Sequence, residues 1–108
     1  MAVDGGAWVG SRRVRVAAYV IRCGVGPELL VFDHVGMPEA GTQIPAGGVR
    51  PGEGLEAAVL REVVEETGLA TASVIRQVIV EDSPHPHTRQ PRRTTYFQLR
   101  VPAETSSA

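Results

Sequence analysis

Residues 47–69 read GGVRPGEGLEAAVLREVVEETGL. The second half of this stretch has the composition of a helix, with Leu, Ala, Val, Arg and Glu throughout and Gly68 placed as a C-terminal stop. The spacing predicts one helix from about Glu53 to Thr67. Its acids are oddly placed. Glu62, Glu65 and Glu66 fall in the last turn and a half, where the helix dipole is negative, and Glu62 and Glu66 repel each other as an i,i+4 pair. Selection for helix stability alone puts Lys or Arg there. At about 100° per residue the three carboxylates share one narrow face. Val59, Leu60, Val63 and Val64 form a separate arc suited to burial. Crowded carboxylates become favourable around a hard dication. A solvated acidic stripe, with Arg61 paired to Glu65, is the alternative that the helix by itself leaves open.

The residues ahead of the helix narrow the choice. The whole stretch resembles the signature of the Nudix hydrolases: Gly, five residues, Glu, seven residues, Arg-Glu, an aliphatic, any residue, Glu-Glu, any residue, Gly, an aliphatic. Here these are Gly47, Glu53, Arg61, Glu62, Val63, Glu65, Glu66, Gly68 and Leu69, and no position departs. Ile44-Pro45-Ala46 is also similar to the family's approach to this box. The resemblance implies an α/β fold, an α/β/α sandwich built on a mixed sheet. It implies Mg²⁺, or Mn²⁺, held by Glu62, Glu65, Glu66 and the backbone carbonyl of Ala46. It gives Glu53 and Arg61 the part of structural supports that orient the acids. The activity it implies is attack of water at phosphorus in a nucleoside diphosphate linked to another group. The general base is unassigned, with Glu65 the fallback inside the box, and the substrate-binding residues are open. A non-catalytic nucleotide-sensing module on the same fold is the alternative. The three intact acids speak against it; the short C-terminus, which by the resemblance would impair activity, speaks for it.

Length and composition set the outer bounds. A chain of 108 residues makes one domain with a modest core. Apolar residues at 43% and a net charge of −1 exclude a disordered chain and give no sign of a nucleic-acid tail. No apolar run approaches membrane-spanning length, and the N-terminus lacks a secretory pattern. One cysteine, Cys23, allows no internal disulfide and fits a reducing cytoplasm. The absence of Lys and Asn, with Arg, Ala, Val and Gly abundant, looks like the coding bias of a GC-rich bacterial genome and weakens any inference from the arginine count.

Working outward, Val14 to Arg22 and Glu28 to His34 read as a strand hairpin, with Leu29, Leu30, Val31 and Phe32 as a buried run. Gly36, Pro38 and Gly41 mark a loop over 35–42, and Gln43 to Pro45 is a short extended piece. Gly47-Gly48 suggests backbone freedom at a tight turn. Ser73 to Glu81 reads as a strand. Asp82 to Arg93 reads as a loop, because it holds Pro84, Pro86 and Pro91; its arginines suit an anionic, phosphate-bearing ligand, with a solvated mobile loop as the equal alternative. Thr94 to Val101 alternates, with Thr95, Phe97, Leu99 and Val101 on one face. Residues 1–12 and 102–108 are expected to be flexible. The family fold usually continues with a further strand and a C-terminal helix, neither of which this stretch encodes. The Thr95, Phe97, Leu99 and Val101 face is therefore expected to lack its usual cover, which leaves a homodimer through it, the N-terminal segment around Trp8, or no cover at all; self-association is the reading taken.

Overall fold

A computed structural model of the chain describes residues 6–23, 26–30, 32–33 and 42–102. His34, most of the expected 35–42 loop and residues 1–5 and 103–108 lie outside the described residues. The strands are β1 (Trp8–Val9), β2 (Arg12–Cys23), β3 (Pro27–Leu30), β4 (Phe32–Asp33), β5 (Thr42–Gln43), β6 (Ala46–Gly48), β7 (Ser73–Pro84) and β8 (Pro91–Val101), with one helix, α1 (Leu55–Thr67). β4 and β5 pair as a small separate ribbon.

β2 is the axis of the main sheet. Its Val, Ala, Tyr and Ile content suits a pleated, two-sided position. Along one edge it pairs in parallel with β8, from Arg13↔Arg92 to Arg22↔Val101. Along its antiparallel partnerships it meets β1, then β6, then β3. β7 closes the far side of β8 as an antiparallel edge, interrupted by register shifts between Val74 and Arg76 and between Gln77 and Ile79. The sheet is thus mixed.

Strand alternation divides the sheet into two unlike faces. Val14, Val16, Ala18 and Val20 of β2 join Phe97, Leu99 and Val101 of β8 beneath Ala58, Val59 and Val63 of α1. This is the core. The odd residues of β2, including Arg13, Arg15, Tyr19 and Ile21, project from the other face. There Leu29 is 48% exposed and Val78 49%. The Thr95–Val101 face read as bare is therefore the covered one: Leu99 and Val101 are buried and α1 lies over them. Self-association through that face is excluded, because it has no free surface.

Three other expectations change. The helix begins at Leu55, with Gly54 as its N-cap, so Glu53 stands in the preceding loop and not in the first turn. Val64 is 45% exposed, and Glu62 takes a place in the buried stripe with Ala58, Val59 and Val63. Pro84 and Pro91 pair as the last rung of the β7–β8 ladder, which shortens the loop to residues 85–90. A proline at the first position of a strand removes no hydrogen bond that the ladder needs. The helix ends as its composition foretells. Gly68 adopts φ 77° and its N–H returns to the Val64 carbonyl, and the Thr67 hydroxyl donates to the Val63 carbonyl at 2.6 Å.

Candidate active site

The acids of α1 meet the outer edge of β6. Hydrogen bonds from Ala18 N–H to the Pro45 carbonyl and from Val49 N–H to the Val14 carbonyl fix the antiparallel alternation between β6 and β2. The Ala46 and Gly48 peptide groups then point away from β2. α1 uses both. The Ala46 N–H donates to Glu66 Oε2 at 3.0 Å, and the Gly48 carbonyl accepts from Arg61 Nη2 at 2.9 Å. The Ala46 carbonyl shares this side of the strand.

Gly47 and Gly48 lie in a strand and neither has a positive φ, so their use is space rather than turning. A β-carbon on Gly47 would run into the Glu62 carboxylate. Glycine here lets α1 lie close enough to bury Glu62 against the strand. The turn that follows does need a positive φ, 78° at Gly52.

Arg61 organises the rest. Its Nε and Nη2 donate to the two oxygens of Glu53, both at 2.8 Å. Nη2 also reaches Gly48, and Nη1 donates to Glu65 Oε1 at 3.1 Å and Glu62 Oε2 at 3.3 Å. All five N–H groups of the guanidinium are engaged. Glu53 is fixed in turn by the Arg50 N–H at 3.0 Å. These bonds, that of Arg61 first, hold the Glu53 carboxyl down to about 2, and Arg61 is held above its usual value chiefly by Glu53. Glu62 moves the other way. Burial is the main cause, and it outweighs the opposing charge of Arg61 to raise the Glu62 pKa. Glu65 is half exposed and receives a second guanidinium from Arg50 at 3.4 Å.

The structure thus gathers Glu53, Glu62 and Glu65 around the Arg61 guanidinium and sets Glu66 against Ala46. Among the described residues, no three acid, His or Cys side chains already stand around one point. The donors are nonetheless oxygens throughout, the set that Mg²⁺ and Mn²⁺ take, and Glu62 is a buried carboxylate whose pKa burial raises even beside Arg61. The residues fit a hard divalent cation. Sequence reasoning missed Arg50, which braces Glu53 and Glu65; its place inside the box was the available signal. It also missed Arg13 and Arg15, whose spacing of two in a strand already put them on one face.

A family model for the NUDIX domain matches residues 11–107. The chain belongs to the Nudix family. Among solved structures, this Nudix domain is similar to the Ap4A hydrolase of C. elegans, at TM-score 0.71 and 19% identity over 90% of this chain and 74% of that one. It is also similar to NrtR of Shewanella oneidensis, at TM-score 0.63 and 18% identity over 89% of this chain and 50% of that one. A MutT/nudix family protein from Enterococcus faecalis aligns at TM-score 0.61 and 20% identity, over 84% of this chain and 36% of that one. At such identities the likeness establishes the fold. A search of curated protein sequences finds no match. No helix among the described residues is long and apolar enough to cross a membrane.

Proposed function

We propose that this Nudix domain hydrolyses a diphosphate linkage in a nucleoside diphosphate joined to another group, with a divalent cation, Mg²⁺ or Mn²⁺, bound by Glu62, Glu65, Glu66 and the Ala46 carbonyl. The observation that carries the reading is the Arg61 node, which spends every donor on holding Glu53, Glu62, Glu65 and β6 in one arrangement. A helix C-terminus with three acids and no basic residue in its last turn is costly without a ligand. When bound, the cation supplies charge neutralisation of the diphosphate and a more acidic attacking water.

The chain's own residues do the positioning. Arg61 and Glu53 fix the spacing of Glu62 and Glu65, and the Ala46 N–H fixes Glu66. Water forms the new bond to one phosphorus, the bond from that phosphorus to the bridging oxygen breaks, and the proton lost by water ends on product or solvent. Glu65 can receive that proton only by loosening a charge-assisted contact to Arg61 or Arg50.

The test is a panel of nucleoside di- and triphosphates, dinucleoside polyphosphates and nucleotide sugars, incubated with Mg²⁺ or Mn²⁺ and scored for inorganic phosphate, pyrophosphate and nucleoside monophosphate. Release from one class that stops in Glu66→Gln supports the reading. Metal-independent release, or none from any class while nucleotides still bind, overturns it in favour of the sensing module.

A further inference from the structure

On the open face of the sheet, β2, β8 and the 85–90 turn enclose a cavity of about 350 Å³. Arg13, Arg15 and Arg92 line it, with His85 and Gly48. The Arg13↔Arg92 register brings two of the arginines side by side, and Arg15 follows on the same face. The arginines next to Arg92 or Arg13 in sequence are already neutralised: Arg93 makes a two-bond pair with Asp82 at 2.8 and 3.1 Å, and Arg12 joins it at 3.5 Å. Among the described residues, Arg15 and Arg92 make no ion pair with any carboxylate. Arg92 Nε is buried with no hydrogen-bond partner. Arg15 is held below its usual pKa, by burial first and by Arg92 second. An unpaired buried donor and two crowded guanidiniums are both relieved by an anion.

The turn adds a ring donor. His85 Nδ1 accepts the N–H groups of His87 and Thr88 at 3.0 and 3.1 Å, which places the ring proton of the neutral form on Nε2. The described lining holds no Phe, Tyr or Trp, so nothing there offers a platform to a base. Its volume sits at the lower end of small-molecule sites, about 300–1,000 Å³. Gly48 and Arg15 join it to the acids of α1: Gly48 lines the cavity while its carbonyl binds Arg61, and Arg15 lies within reach of the charges of Glu62 and Glu66.

We propose that this arginine cavity is a phosphate subsite, which takes a phosphate of the substrate lying beyond the linkage held at the carboxylates. That the anion belongs to a substrate rests on the hydrolase reading; that the cavity binds a polyphosphate does not. The subsite selects substrates with at least one phosphate more than the cleaved diphosphate, and disfavours those whose second group is neutral.

Two measurements separate these claims. The first titrates inorganic tripolyphosphate into the full chain with chelator present, followed by calorimetry. The parent protein binds one equivalent, Arg15→Gln/Arg92→Gln weakens binding about tenfold or more, and Arg100→Gln, on exposed β8 surface outside the cavity, does not. Absence of binding in the parent, or equal binding in the double variant, overturns the subsite. If the double variant melts early, Arg92→Gln alone carries the comparison. The second measurement takes the nucleotide that the panel shows to be cleaved. Arg92→Gln lowers kcat/KM through a higher KM, the mark of lost binding; an unchanged KM overturns the subsite and leaves the hydrolase reading standing. Tripolyphosphate binding without cleavage of any nucleotide does the reverse.

Discussion

At the scale of single residues, the site depends on one side chain having five donors. Arg61→Lys keeps the charge but supplies a point cation with three donors and no planar fork. We expect divalent-ion affinity to fall about 10–100-fold, the usual effect of losing a group that orients ligands; calorimetry with Mn²⁺ measures it, and unchanged affinity removes Arg61 from the site. Gly47→Ala meets the Glu62 carboxylate head on. It should cost about 1–3 kcal/mol in urea unfolding, as overpacking does, and weaken the same ion; a neutral result means α1 can back away from β6. Glu53 gives a pH signature. Its folded pKa, about 2, lies below the ordinary carboxylate value of about 4.3. The stability it contributes is therefore present above the unfolded value and lost as pH falls towards 2. Melting temperature between pH 4.5 and pH 2 should fall more steeply in the parent than in Glu53→Gln. Parallel curves would show that the Glu53–Arg61 pair adds nothing. The sequence named Glu53 and Arg61 as supports but put Glu53 at the start of the helix itself. Glu53 reaches Arg61 because it precedes the helix, and a propensity-based start cannot resolve two residues when the N-cap is a glycine with no capping side chain.

At the scale of the element, α1 was legible in its existence and its end, and misread in its start and its orientation. Periodicity shows that some stripe is buried and leaves open a rotation of tens of degrees. Val59, Leu60, Val63 and Val64 made one plausible stripe. The one observed contains Ala58 and Glu62 instead, because small Ala58 and bare Gly47 let the helix approach where a larger pair would hold it off. That rotation takes Glu62 out of solvent, and no count of acids announces it. The consequence is testable through the ion. Excess Mg²⁺ should raise the melting temperature, with about 2.7 kcal/mol of added stability at a hundredfold excess over Kd. Glu66→Gln should abolish the rise. In metal-free buffer the same variant should be as stable as the parent or slightly more so, because a repelling charge leaves the helix C-terminus while the amide oxygen can still accept the Ala46 N–H. A Mg²⁺ shift that survives in Glu62→Gln/Glu66→Gln places the ion elsewhere.

Across the whole molecule, the sequence conveyed that one sheet face is covered and one is bare, and assigned them the wrong way round. Alternation in β8 identified Thr95, Phe97, Leu99 and Val101 as a set, but which set lies under the helix depends on the parallel pairing of β8 with β2, which no local pattern encodes. Substitutions tell the two faces apart. Leu99→Ala should cost about 2–5 kcal/mol, as a fully buried leucine does. Ile79→Lys, on the exposed edge strand, should stay within about 0.5 kcal/mol of the parent. Chemical denaturation of both variants checks this, and equal losses would mean that the outer face is buried in solution.

The β2–β8 partnership also has a kinetic side. The rungs that join Arg13 to Arg92 and Val20 to Leu99 close a loop containing β3, β6, the helix and β7. Such a contact carries a large closure entropy and nothing local can form it in advance. β7 and β8 can make their hairpin early, and α1 can flicker into shape alone, but neither has a core to sit on until β8 finds β2. The slow step of folding should therefore be this docking. In stopped-flow refolding, Val20→Ala and Leu99→Ala should act mainly on the folding rate, while trimming the α1 contact at Val63 should act mainly on unfolding. The reverse pattern would place the helix in the nucleus. If docking is the slow step, every molecule passes through a stage in which the acids are assembled on a helix that has no strand to face, so ion binding should follow the slow phase and not precede it.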